Sequence, residues 1–280
     1  MMRRFLVAFV AAILSASLLS AAECECSVIH TPAVKQAYWR KSESPNFIIH
    51  TPSDEAARAK IAQSCEQLRH DLSSKWFGDP LDTWKLKCHV VLHRTKGSYQ
   101  QAVGNAVANT SGSTWIEFDK RDGTRITLRR IDLLCDKNTD DLAALPHELT
   151  HALLADWFSG KQPPRWLDEG MAVLADTKSK QSLHLRDLRA AYFNRTSYRV
   201  VELLQLEDHP RQDRIPAFYG QSLALVQLLI ERDSPDKLLK FVDRSQTIGH
   251  DAAVREVYGI DGVAVLEKLW QSHYDALASN

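Results

Sequence analysis

Residues 140–158 read Asp-Asp-Leu-Ala-Ala-Leu-Pro-His-Glu-Leu-Thr-His-Ala-Leu-Leu-Ala-Asp-Trp-Phe, and they divide the chain in two. Before them, strand-like and helix-like stretches alternate. After them, every segment carries apolar residues at helical spacing. Strands with a few helices first, then helices alone, is the pattern of an α+β fold. It predicts a small, mostly antiparallel sheet with helices in an N-terminal lobe, an all-helical C-terminal lobe, and the helix of residues 147–151 at their junction. Pro146 leaves one local alternative open: it stands in the first turn of that helix, or it kinks a helix begun at Asp140 or Asp141.

The same stretch carries chemistry. On a helix His147 and His151 stand one above the other, so two imidazoles can reach one ion. Glu148 lies about 100° round the helix, beside such an ion rather than on it, where a base for metal-activated water belongs. His-Glu-x-x-His arises by chance in about 2% of chains of this composition, so context must decide. The next helix supplies it. After Pro163-Pro164 the chain reads Arg-Trp-Leu-Asp-Glu-Gly-Met-Ala-Val-Leu-Ala-Asp over residues 165–176, and Glu169 falls on the apolar face of Trp166 and Val173. An isolated carboxylate there costs several kcal/mol unless it meets a cation. His147 and His151 likewise share a face with Ala144 and Leu154. One Zn²⁺ explains all three misplaced polar groups, and three protein ligands leave a fourth position open for catalysis.

With 17 residues between His151 and Glu169, the pair of segments resembles the gluzincin metallopeptidases, the thermolysin-like group of the peptidase MA clan. Residues 166–172, Trp-Leu-Asp-Glu-Gly-Met-Ala, look like the Trp-Leu-Asn-Glu-Gly-Phe-Ala form of aminopeptidase-type members. The resemblance covers residues 144–176. It implies His147, His151 and Glu169 as ligands of one zinc per chain, Glu148 as general base, and a peptide or protein as substrate. The longer metzincin signature is excluded, because Leu154 and Trp157 stand where it needs glycine and histidine. Thermolysin relatives place an aspartate four residues after the zinc glutamate. That position is Val173 here, which leaves Asp168 or Asp176 as substitutes. The family also draws an oxyanion donor from a downstream Tyr or His. Tyr219, opening an apolar helix, is the candidate, against a packing role for the same ring; His209 and His250 are lesser ones. The amine-anchoring Gly-x-Met-Glu-Asn segment of aminopeptidases is absent. Gly112–Phe118 occupies its place as a strand able to pair with an extended substrate, which favours cutting inside chains.

The first 22 residues stand apart from the globule. Arg3 and Arg4, the apolar run 5–19 and a small-residue Ser20-Ala21-Ala22 form a secretory signal peptide, cleaved after Ala22, which implies a secreted or periplasmic protein. Glu23 before Cys24 argues against a lipoprotein signal; an uncleaved anchor is the alternative. Cleavage removes two basic residues and no acids from 35 of each, leaving 33 against 35. That balance gives no footprint for nucleic acid or an anionic membrane. Residues 23–45 read as a poorly ordered lead-in, 46–160 as the α/β lobe carrying the zinc-binding helix, and 161–280 as the helical lobe.

Strands are expected at 46–51, 85–93, 113–118 and 124–131, with helices from a Ser53 cap to about Trp76 and near 98–107. Cys24, Cys26, Cys65, Cys88 and Cys135 are an odd set. Cys65 and Cys88 point into one core and either bridge or stay buried thiols. His89 and His93 are four apart on a strand, about 13 Å, too far for one ion. The basic strand 125–130 reads as a solvated face. Two other readings compete with peptide hydrolysis: an amidase using the same residues, and a non-catalytic exported binding module, against which an intact Glu148 argues.

Overall fold

The computed structural model describes residues 40–104, 110–121, 123–135, 142–158, 162–208 and 210–279. The leader, Cys24, Cys26 and His209 lie outside them. No described helix is long and apolar enough to cross a membrane. The architecture is α+β: a five-stranded sheet with helices, followed by helices alone.

Two compact units divide the chain: residues 1–66, 84–117 and 127–142 form one, and 67–83, 118–126 and 143–280 the other. The first holds the body of the sheet, in the order β1 (Arg40–Glu43), β2 (Phe47–Thr51), β3 (Cys88–His93), β5 (Ile126–Leu134), β4 (Gly112–Phe118). β1 runs antiparallel to β2, with Arg40 opposite Thr51. β2 and β3 are parallel, as are β3 and β5, with Phe47 opposite Cys88 and Val90 opposite Ile131. β4 returns along β5 through a turn closed by Asp119 N–H to the Arg125 carbonyl.

The sheet is therefore mixed rather than mostly antiparallel. A helix is the ordinary crossover between parallel strands, and α1 (Glu55–Phe77) lies between β2 and β3 in the chain. The central strand shows the consequence. β3 is buried at five of its six positions, the near-continuous apolar run of a strand covered on both faces. Phe47, Ile49, Val90, Leu92 and Ile131 are fully buried, each contributing about 1.5–3 kcal/mol by leaving water.

Three local expectations shift. Arg40–Glu43, read as lead-in, is strand β1. The α1 cap is Asp54 rather than Ser53, its Oδ1 accepting from Ala57 N–H at 2.8 Å. The basic strand is not wholly solvated, since Arg129 is buried, lies over the Trp84 ring and donates to the Leu86 carbonyl. Cys65 and Cys88 are buried free thiols, and Cys135 is buried. Burial pushes the Cys65 thiol up to about 12 and raises Cys88 as well, so both stay protonated and unreactive.

In the second unit α3 (Leu145–Trp157) and α4 (Arg165–Ala175) are followed by α5 (Lys178–Phe193), α6 (Val200–Leu204), α7 (Ile215–Arg232), α8 (Pro235–Ile248), α9 (His250–Tyr258) and α10 (Val263–Ser279). Pro146 sits in the first turn of α3, where its missing N–H costs nothing. α7 is the central helix, with Ala217, Phe218 and Leu223 through Val226 buried. It packs on α4 at Gly170, where an added Cβ would lie 2.4 Å from the Ser222 carbonyl oxygen. It packs on α5 at Gly220, where a Cβ would lie 2.5 Å from the His184 carbonyl oxygen. Both glycines allow helix backbones to touch.

Candidate metal centre

Helix α3 buries Leu145, Leu149, Ala152 and Leu153. Its 3.6-residue period then puts His147 and His151 together, ring centroids 5.0 Å apart. α4 starts directly after Pro164, whose carbonyl accepts from Leu167 and Asp168 N–H. Its apolar residues Trp166, Leu167, Met171, Ala172 and Val173 are buried, and Glu169 is carried in with them at 3% exposure. The α3–α4 packing brings one ligand-type atom each from His147, His151 and Glu169 within 4.8 Å of one another. His147 Nε2 stands 4.0 Å from Glu169 Oε2. A tetrahedral zinc with bonds near 2.1 Å sets its ligand atoms about 3.4 Å apart, so small side-chain adjustments close the site.

The outer partners fix which nitrogen faces inward. His151 Nδ1–H donates to Asp168 Oδ1 at 2.6 Å, and His147 Nδ1–H donates to Asp176 Oδ2 at 2.9 Å. With both Nδ1 atoms engaged, Nε2 is the nitrogen of each ring that could hold a metal ion. The sequence left Asp168 and Asp176 as alternatives; the fold uses both, one per histidine. Asp176 also accepts from Lys180 Nζ at 3.0 Å. Burial alone would raise the Asp176 carboxyl; the bond and charge of His147 with the Lys180 charge outweigh it and hold it below the usual range.

Glu169 behaves in the opposite sense. Burial first, then the charges of Asp168, Glu148 and Asp176, push it well above the usual carboxylate range, with Arg165 opposing. Its Oε2 is buried and takes no hydrogen bond among the described residues. A carboxylate surrounded by buried acids, with an unsatisfied oxygen beside two imidazoles, is placed to meet a cation. Two imidazole nitrogens and one carboxylate oxygen are the donor set of catalytic zinc sites, so the residues present fit that ion.

Glu148 follows His147 and is buried at 3% exposure. His147 is the more open of the two histidines, its side chain 12% exposed. Tyr219 is part-exposed on α7, one turn before Ser222, the residue that meets Gly170 beside Glu169. Its ring packs on His184 of α5 at 5.4 Å between centroids. His250 lies instead against Phe241 on α8 and is outside the cluster. His89 and His93 go to different partners: His89 stacks on His50, and His93 bonds Asp132 and Ser98.

His184 is the residue the sequence reading missed. Burial holds its imidazole below the ordinary range, and it feels the charges of Asp176 and His147. A signal was present: Gln181, His184, Leu188 and Ala191 recur at helical spacing, and all but the part-buried His184 are fully inside. The polar residues crowded around them concealed the stripe.

No curated protein matches the chain. A family model described as the Peptidase MA superfamily matches residues 130–276, just over half of the chain, and takes in both helices that carry the converging side chains. The match runs from β5 into α10 without leaving out any element that builds the centre, and the chain belongs to the peptidase MA superfamily.

Proposed function

We propose that this chain is an exported, zinc-dependent metallopeptidase in which His147, His151 and Glu169 hold one ion per chain and Glu148 is the general base. The observation that carries the reading is the approach of those three side chains within 4.8 Å, with both histidine Nδ1 atoms already engaged by aspartates. When bound, zinc supplies a Lewis acid that polarises a carbonyl and acidifies water.

The protein's own groups do the rest. Asp168 and Asp176 hold the two imidazoles in one tautomer and orientation. Glu148, fixed by the helix beside His147, accepts the proton of the attacking water and returns it to the leaving amine. Burial of the site strengthens each of these interactions by excluding water. Tyr219, on the helix packed against α4, donates its phenol to the oxygen that becomes negative as the carbonyl is attacked. Cleavage within chains is the favoured form of the activity, because the amine-anchoring Gly-x-Met-Glu-Asn segment of aminopeptidases is absent. The basic start and apolar run of residues 3–19 support export.

The test is Glu148→Gln in the mature chain. Zinc content should stay near one per chain while casein hydrolysis falls by about 10²–10⁴-fold. Wild-type protein that holds zinc but cleaves nothing in a peptide library would favour a binding module. Loss of zinc in Glu148→Gln would move that glutamate from base to ligand.

A further inference from the structure

We propose that His184 is a positioning residue for Tyr219, fixing the plane of the phenol ring next to the metal centre; the catalytic consequence rests on the function proposed above. Three contacts converge on this pair. Gly220, the neighbour of Tyr219, lets the α7 backbone meet α5 at the His184 carbonyl and the Leu188 side chain. The two rings then lie 5.4 Å apart with planes tilted by 32°. One turn further along α7, Ser222 touches Gly170, the residue after Glu169. The pair is thus braced from both sides: α5 fixes the ring, and α4 fixes the distance to the carboxylate ligand.

The nature of the contact follows from the surroundings of His184. Burial first, with a smaller push from the charge of His147, holds its imidazole below the ordinary range. It meets Tyr219 as an aromatic surface, so ring shape rather than charge is what it contributes. Phe218, the preceding residue, adds a second aromatic contact at 5.5 Å in an edge-on arrangement. A tyrosine with one aromatic neighbour on its face and another at its edge has little freedom about χ1 and χ2. That freedom is the quantity a donor aimed at a developing charge must give up beforehand.

The inference separates His184 from a simple filler of the α5–α7 interface, because a filler needs only volume. His184→Leu keeps the volume and removes the ring; His184→Phe keeps the ring. In the full mature chain, nitration by tetranitromethane, mapped by mass spectrometry of tryptic peptides, should become several-fold faster at Tyr219 in His184→Leu and stay near wild type in His184→Phe. This readout needs neither zinc nor turnover, so it judges the pair even if no peptidase activity is found.

In turnover, His184→Leu should lower kcat roughly 3- to 10-fold with KM unchanged, the range of one aromatic pair. His184→Phe should restore it, and His184→Leu should add nothing in a Tyr219→Phe background. Unchanged nitration of Tyr219 in His184→Leu overturns the proposal, as does a kcat loss that multiplies with that of Tyr219→Phe. Loss of function in Glu148→Gln alongside either result leaves the peptidase reading standing while the role of His184 falls.

Discussion

Two buried histidine–aspartate pairs, one in each compact unit, share a 2.6 Å bond and differ in everything around it. In the sheet unit His93 Nε2–H donates to Asp132, while the other ring nitrogen accepts the Ser98 hydroxyl at 2.9 Å. Arg130 adds two bonds to the same aspartate, at 2.7 and 2.8 Å. In the helical unit His151 donates to Asp168, and the next residue, Glu169, feels the charges of three acids, Asp168, Glu148 and Asp176, against Arg165 alone. The carboxyls record the difference. Burial raises Asp132, yet His93 and Arg130 outweigh it and bring it below its usual range; Glu169 is driven well above. A histidine–aspartate pair does not by itself mark a site. A surplus of buried acids around it does, because that charge must be settled by a bound cation or by a proton.

The comparison can be broken at several points. Asp132→Ala should have the largest effect on the fold, about 3–5 kcal/mol, since it strands Arg130 and a buried histidine. A urea melt would show it, with zinc content unchanged; a fall in zinc content instead would mean the two pairs are not distinct in role. Asp168→Asn should leave the fold nearly intact and weaken zinc binding about 10- to 100-fold in competition with a chelating dye.

Asp176→Asn should fall at the low end of that range, because Asp176 shares its charge with Lys180 and its histidine is the more exposed. The reverse order of the two variants would sink the idea that the deeper pair anchors the ion. The smallest effect belongs to a histidine pair with no acid between its rings. His50 Nε2 and His89 Nδ1 are 2.9 Å apart. Burial first, then the charges of His89, Arg130 and Lys41, lower His50 from the ordinary 6.5 to about 4. The unfolded chain then binds a proton that the folded one refuses, so stability falls as pH drops from 6.5 toward 4 and levels off below. His50→Gln should flatten part of that acid slope, read as urea midpoints at neutral and mildly acid pH.

Legibility in the sequence followed the range of the interactions. The His147–His151 pairing was readable because four residues on a helix are neighbours whatever surrounds them. Glu169 was readable as a charge on an otherwise apolar face, and the α+β class from where strand patterns stop. Asp168 and Asp176 were visible only as candidates, since no spacing says which imidazole each will meet. Arg129 was misread as solvated because nothing local reveals that Trp84 and the Leu86 carbonyl will cover it.

Alone, the sequence determined the helices, their buried faces and the three side chains standing in the wrong kind of place, all consequences of periodicity within a few residues. The tertiary structure decided the parallel pairings of the sheet, the aspartate assigned to each histidine and the tilted packing of His184 on Tyr219. Those depend on where separate helices and strands meet, and close approaches such as Gly170 on Ser222 and Gly220 on His184 set that meeting through packing between residues distant in the chain.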